Sequence, residues 1–379
     1  MNPYDFVRID WTRPLERRPP IWHHKVVSTD GAKLYAGSLE VEVEALTPFF
    51  ISDPRNVSPD PKRPAQFIHN VSQQAENSPT YIIPGSSLKG MLRNVVETLG
   101  NGCLTLYDGT YERNKVNYKQ KVPDVFQHCD NRTNMCIACR IFGMLKERTK
   151  GVFLGKVNIG DAYSDPEQVY LYEPMYTALL MEPKSHHRSF YLDKSEQHIA
   201  GRKFYFHHSP DMQPLSANGL IRNGGVTNRY IQPLDYGTKF HFRVNFMNLE
   251  ADEFAALLLA ITLTPETRHK LGYGKPLGLG SVQLTPTSLT LIDYRTRYAQ
   301  VGSDRGKTIL KGECLQQLRD ELVNTFSKEQ LVLIAMQDLQ RIWRWPPEQG
   351  VDYYYPSKRD WFDTPDSIGK RIADTQNVP

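Results

Sequence analysis

A chain of 379 residues can bury a large core, as one elaborated domain or two. Its 46 basic and 42 acidic residues leave a formal charge of only +4, so any nucleic-acid site must be a local patch. No apolar run approaches the roughly 18 residues of a membrane span, and the start lacks a charged-then-apolar leader, which predicts a cytoplasmic protein without a membrane partner.

Residues 1–37 are polar and irregular and read as an arm on the domain surface or on a neighbour. Leu39-Glu-Val-Glu-Val-Glu-Ala-Leu alternates apolar and charged residues, the pattern of a half-exposed strand. Residues 53–80 show prolines and no periodicity, which predicts a long loop. Pro84 and Gly85 then turn the chain, and Ser86 or Ser87 can cap a helix. Leu88, Met91, Leu92, Val95, Val96 and Leu99 make one buried stripe, while Lys89 and Arg93 share another face. A helix start with free N–H groups, two hydroxyls and two cations one turn apart suits a phosphate chain. An ordinary capped amphipathic helix with a solvated basic face would read the same way.

Five cysteines, three of them crowded within 129–139, are no disulfide framework and point to metal in a reducing compartment. In Cys129-x6-Cys136-x2-Cys139, two thiolates can grip one tetrahedral zinc and the loop returns a third. His128 is the nearest fourth ligand and Cys103 its rival; three buried free cysteines would be the plain alternative. With four protein ligands the zinc would be structural. Arg140 and Phe142 follow at the edge of this region, where both could face RNA, or Phe142 the core.

Gly151-Val-Phe-Leu-Gly-Lys-Val-Asn-Ile predicts a second strand, and residues 161–236 a large insertion containing His186, His187, His207 and His208. Those histidines lack carboxylate partners at metal spacing and are assigned to the insertion, where His207 and His208 could touch nucleic acid, not to catalysis. Lys239-Phe-His-Phe-Arg-Val-Asn-Phe predicts a third strand, residues 252–262 an apolar helix, and Ser281-Val-Gln-Leu the start of a fourth strand. Between them, Gly272-x-Gly274-Lys-Pro-Leu-Gly278-x-Gly280 precedes a strand, so it is neither a dinucleotide fingerprint nor a Walker loop. Its glycines would let a backbone pass close to another chain, with Lys270 and Lys275 supplying charge; a tight hairpin is the alternative. The order of elements fits an α+β fold built on a split βαβ, ferredoxin-like unit with insertions. Residues 316–326 and 328–345 read as two helices of a C-terminal appendage, ahead of an aromatic tail including Tyr353, Trp361 and Phe362.

Three of these stretches, in order, resemble the RAMP superfamily, the RNA-binding subunits of type III CRISPR effector complexes. They are Ile-Pro-Gly-Ser-Ser-Leu-Lys-Gly-Met-Leu-Arg at 83–93, Cys136-Ile-Ala-Cys139-Arg-Ile-Phe-Gly143, and the glycine-rich 269–281. The resemblance spans roughly 38–293 and implies an RNA-recognition-motif-like core between the 1–37 arm and a helical 294–379 appendage. The core would carry insertions at 53–80, 100–145 (the zinc region) and 161–236. It further implies that Ser86, Ser87, Lys89, Arg93, Arg140, Lys270, Gly272, Gly274, Lys275, Gly278 and Gly280 hold a guide RNA (crRNA). Complementary target RNA, other RAMP subunits and a large polymerase-like subunit would be the partners.

Several such subunits cleave target RNA with a divalent metal and an acid in the loop before the first helix. Here that loop offers Asp53 and Asp60, while His69 falls nearer the expected position. A carboxylate would hold magnesium and orient the 2′-hydroxyl; a histidine acts only as base or acid. Asp53 ranks first and His69 second as catalytic candidates. A non-catalytic scaffold is the alternative, and a guide-processing endoribonuclease ranks third.

Overall fold

The structure, a computed structural model, describes residues 2–25, 33–53, 62–70, 79–104, 118–145, 152–180, 191–193, 195–223, 226–299, 301–302 and 304–355. Asp60, His186, His187, Trp361 and Phe362 lie outside the described residues.

Two long strands, β1 (Tyr35–Ala45) and β3 (Lys239–Leu249), form the centre. Leu39, Val41 and Val43 of β1 and Phe240, Phe242 and Val244 of β3 point inward; the intervening charged residues point out. Short β2 (Val157–Ile159) flanks β3, and β4 (Ser281–Ile292) flanks β1, giving the antiparallel order β4-β1-β3-β2. Helix α1 (Gly85–Leu99) links β1 to β2, and α3 (Ala251–Thr262) links β3 to β4; both pack against the sheet's apolar face. This is the ferredoxin-like arrangement, with α2 (Ile137–Phe142) and the cysteines inserted after α1. All six residues of the α1 stripe are buried, on the order of 10 kcal/mol of gross transfer free energy.

Several expectations are corrected here. The run 151–159 is not one strand. Val152–Leu154 pairs back with Gly143–Leu145, and the chain then turns at Gly155 before β2. A Cβ at Gly155 would lie 2.4 Å from the Phe142 carbonyl carbon, so only glycine passes there. Strand β4 runs 12 residues through Pro286, because a bulge between Pro286 and Ser288 removes the need for its missing N–H. The 53–80 segment and the large insertion are not independent. Ala65–Gln66 pairs with Tyr230–Gln232, which joins Met175–Thr177 and Ser216–Ala217 in a second sheet.

The C-terminal helices α4 (Gly312–Glu329) and α5 (Leu333–Ile342) pack on the core, α4 against α3. The first begins four residues earlier than the sequence reading and the second five residues later. The N-terminal arm is tied down as well: Tyr4–Val7 pairs with Arg202–Tyr205, Arg8 meets Asp338 at 2.7 Å, and Arg341 meets Asp5 at 2.5 Å. Among the described residues, no helix is long and apolar enough to cross a membrane.

Candidate nucleic-acid interface and metal centre

Neither Ser86 nor Ser87 caps α1. The helix begins at Gly85 behind Pro84 with no side-chain cap, and the Gly85 N–H donates at 2.7 Å to Oδ1 of Asp161, beside the Ala162 that pairs with Ile83. A carboxylate there also suits the positive end of the helix. A Cβ at Gly85 would sit 2.3 Å from the Ile159 carbonyl oxygen, so this glycine permits the close approach. Ser86 is thereby left exposed, with Lys89 half-buried one turn on; burial, then the charge of Arg93, lowers the Lys89 pKa. Arg93 turns away from solvent. Its Nε donates to Glu97 at 2.7 Å, and its terminal nitrogens reach the Gly143 carbonyl at 2.9 Å and Cys139 Sγ at 3.5 Å.

Cys103, Cys129, Cys136 and Cys139 are all buried, and their sulfurs lie within 4.8 Å of one another. A tetrahedral zinc with sulfurs at about 2.3 Å requires sulfur–sulfur separations of about 3.8 Å. Cys103 Sγ and Cys139 Sγ are 3.6 Å apart. The backbone N–H groups of Cys103 and Cys136 point at Cys136 Sγ (3.5 Å) and Cys129 Sγ (3.2 Å). Hydrogen bonds from neighbouring thiols, Cys103 foremost, hold Cys136 well below the ordinary thiol range and push Cys139 up. Thiols so placed cannot all ionise without a cation between them. The four cysteines could therefore bind a metal such as zinc.

Cys103, not His128, completes this quartet. A parallel bridge between Leu104 and Gln127 carries Cys103 alongside Cys129, and Arg202 fastens it by donating to the Gly102 and Cys103 carbonyls. The His128 ring lines the cleft next door but is not among the gathered donors.

Arg140, expected at RNA, is only 1% exposed. It donates to Glu253 at 2.8 Å and Asp252 at 3.0 Å, both at the start of α3, and to the Met135 carbonyl. Glu253 also takes Lys156 Nζ at 2.7 Å and accepts the Glu250 N–H in a capping box. Arg140 therefore bolts the cysteine region to the core. Phe142 is core as well.

The glycine loop packs on its own chain. The Gly280 N–H donates to the Pro48 carbonyl, the Tyr273 N–H to the Phe50 carbonyl, and a Cβ at Gly280 would fall 1.9 Å from the Leu271 carbonyl oxygen. Gly272 admits the Phe50 carbonyl, which would lie 2.5 Å from a Cβ there, so the segment just past β1 packs on this loop. Gly272 is half-buried, Gly274 is buried against the Leu279 side chain, and Gly278 abuts His208. Lys270, another expected RNA contact, is buried with its Nζ 3.4 Å from Ser281 Oγ; burial, then Lys275, pushes its pKa down to about 7. Lys275 is half-buried and donates to the Gly272 carbonyl at 2.9 Å. His207 and His208 are likewise internal, not surface contacts. His207 Nε2 donates to the Arg268 carbonyl at 3.0 Å, which leaves Nδ1 to accept from Ser281 Oγ at 2.8 Å.

The catalytic candidates do not meet. Asp53 is buried, and His69 is half-buried with Nδ1 2.9 Å from the Phe67 carbonyl. Ser52 pairs antiparallel with Phe67, which puts Asp53 and His69 about three strand steps, or roughly 10 Å, apart. The sheet's open face is also unsuited to RNA. Its central strand presents Glu40, Glu42 and Glu44, with Arg243 and Lys239 paired to the first two, where base-stacking sheets present aromatic rings.

Sequence reasoning missed Asp161, Arg202, Lys156 and the acids of α3. Only the Glu250-x-x-Glu253 spacing was a readable signal.

Among solved structures, a chain titled "Type IV-B CRISPR Complex" is similar at 16% identity and a TM-score of 0.34, covering 70% of this chain and 93% of that one. No curated protein matches. Residues 42–283, which run from β1 to the start of β4, match the RAMP superfamily, so the chain belongs to the RAMP superfamily.

Proposed function

We propose that this chain is a guide-RNA-binding backbone subunit of a CRISPR ribonucleoprotein, of type III by its three motifs, working in the cytoplasm. The observation that carries it is the family match over the ferredoxin-like core, with the 83–93 motif on α1. Ser86, Ser87 and Lys89 on the first turns of α1 would hold one stretch of sugar–phosphate. The half-buried residues of the glycine loop, Gly272, Tyr273 and Lys275, would hold another. Arg140 and Lys270 drop out of this set because they are buried, and Arg93 acts through the cysteine quartet. Recognition would be of backbone and shape, leaving the guide to read complementary target RNA by pairing. Other RAMP subunits and a large polymerase-like subunit are the proposed partners.

In this reading the quartet of Cys103, Cys129, Cys136 and Cys139 holds a structural zinc, which fastens 103–139 beneath α1. Cleavage of target RNA ranks below holding it. The buried Asp53 and the distant His69 give magnesium no paired ligands as arranged. The scaffold reading is favoured by that same observation.

The test is binding of the purified chain to single-stranded RNA of about 30 nucleotides, followed by incubation with complementary RNA and magnesium. Binding that Lys89→Ala weakens supports the proposal, and no binding at low salt refutes it. Cleavage abolished by Asp53→Ala would restore the catalytic role and displace the scaffold reading.

A further inference from the structure

Both lysines of the glycine-rich segment are turned inward. Lys270 is buried against Ser281, and Lys275 folds back to donate to the Gly272 carbonyl at 2.9 Å. A loop that holds sugar–phosphate still needs positive charge beside it. The structure brings one from a distant part of the chain. The Arg229 guanidinium lies over the Tyr273 ring, 5.0 Å from its centroid, and its Nη2 donates to Ser52 Oγ at 2.8 Å.

Arg229 belongs to the second sheet, just ahead of the Tyr230–Gln232 strand. Its N–H donates to Thr177 Oγ1 at 3.2 Å, and its carbonyl accepts the Thr177 N–H at 2.8 Å. The ring beneath the guanidinium is fixed as well. The Tyr273 N–H donates to the Phe50 carbonyl at 2.8 Å, and the ring meets that of Phe50 edge-on with centroids 6.2 Å apart. Backbone, side chain and ring are thus in place before any ligand arrives, which lowers the entropy lost on binding.

A guanidinium laid on a ring keeps its N–H groups in its own plane, at the rim of the stack. Of the five such groups one is spent on Ser52. Among the described residues no carboxylate pairs with Arg229. The residue is half-buried, and none of its nitrogens is shut off from water without a partner. A positive, planar fork with open N–H groups matches two oxygens of a phosphate, and a neutral ligand would leave its charge uncompensated.

We propose that Arg229 is the phosphate contact at the glycine loop, held flat on Tyr273 so that its open N–H edge takes a phosphate of the bound RNA. The inference rests on the RNA-binding reading above and names the cation that the loop itself lacks. It also gives the insertion a part in that reading: the second sheet carries the cation to the loop.

Salt-dependent titration tests it. Wild type, Arg229→Gln, Arg229→Lys, Tyr273→Leu and, as a reference at the other end of the site, Lys89→Ala are titrated with single-stranded RNA over a salt series, and thermal melting checks that each is folded. Arg229→Gln should bind roughly tenfold more weakly at low salt and lower the salt slope by roughly 0.7. Arg229→Lys should keep the slope but recover only part of the affinity, because an ammonium is a point charge and not a fork. Tyr273→Leu removes the ring under the guanidinium and should weaken binding by about threefold with the slope retained. If Arg229→Gln keeps both affinity and slope while Lys89→Ala loses them, Arg229 is a strut between sheet and loop; the proposal is overturned and the RNA-binding reading stands. Weaker binding by Arg229→Gln with an unchanged slope would overturn it too, since the side chain would then support the loop without touching phosphate. Unchanged RNA binding with altered self-association would give the fork to a partner's carboxylate and likewise overturn it. If wild type binds no RNA, the reading itself fails and the proposal with it.

Discussion

Arg140→Met separates the buried position of this side chain from the RNA contact that its sequence neighbourhood suggests. Around Glu253 the structure gathers three cations (Arg18, Arg140, Lys156) and three carboxylates (Glu250, Asp252, Glu253), a balanced set. Removing Arg140 leaves one uncompensated negative charge beside Glu253, itself fully buried, and empties the bond to the Met135 carbonyl. Breaking a buried pair on one side costs about 3–5 kcal/mol. At roughly 2–3 °C per kcal/mol, thermal melting should fall by about 6–15 °C. Affinity for single-stranded RNA, measured well below the lowered melting point, should stay within twofold of wild type. A variant that melts like wild type but binds RNA ten times more weakly would refute the buried network and return Arg140 to the RNA.

Cys103→Ala should retain far less than one zinc per purified chain, while His128→Ala retains a full equivalent, as read by elemental analysis. The reverse pattern would restore His128 as the fourth ligand. Stability should also fall steeply on mild acidification. Burial lowers His207 well below its ordinary value, His208 to about 3 and His269 to about 4. A depressed folded-state pKa means that the unfolded chain binds more protons, so stability is whole above about pH 6.5 and is lost as pH falls toward the folded values. Each histidine removes about 1.4 kcal/mol of stability by pH 5.5, or roughly 4 kcal/mol for three, visible in denaturant melts at pH 7.5 and 5.5. A flat profile would contradict their burial. Gly280→Ala places a methyl 1.9 Å from the Leu271 carbonyl oxygen at φ +80 and should cost at least about 3 kcal/mol. Gly90→Ala meets nothing within 4 Å on an exposed helix face and should stabilise by about 0.5–1 kcal/mol; urea melts distinguish the pair.

What the sequence made legible was local. Alternation in β1 and β3 and the stripe of α1 each follow from one segment's own burial, so periodicity found them. The cysteine spacing showed three of the four gathered thiols for the same reason. Its fourth depended on the bridge of Leu104 to Gln127, a pairing between segments that no spacing records. A cation beside a functional motif looks the same in the sequence whether it faces solvent, a carboxylate 112 or 113 residues away, as Arg140 does, or a buried hydroxyl, as Lys270 does. The glycine loop looked open for a partner's backbone, and the backbone that fills it is this chain's own at 47–50.

Photo-crosslinking tests RNA holding most directly. Single-stranded RNA substituted with 4-thiouridine is bound to the full chain and irradiated, and the modified peptides are mapped by mass spectrometry. Crosslinks should concentrate at residues 86–89 and 272–275. Crosslinks on the glutamate-lined strand face at 40–44 instead, or none at all despite saturating RNA, would contradict it.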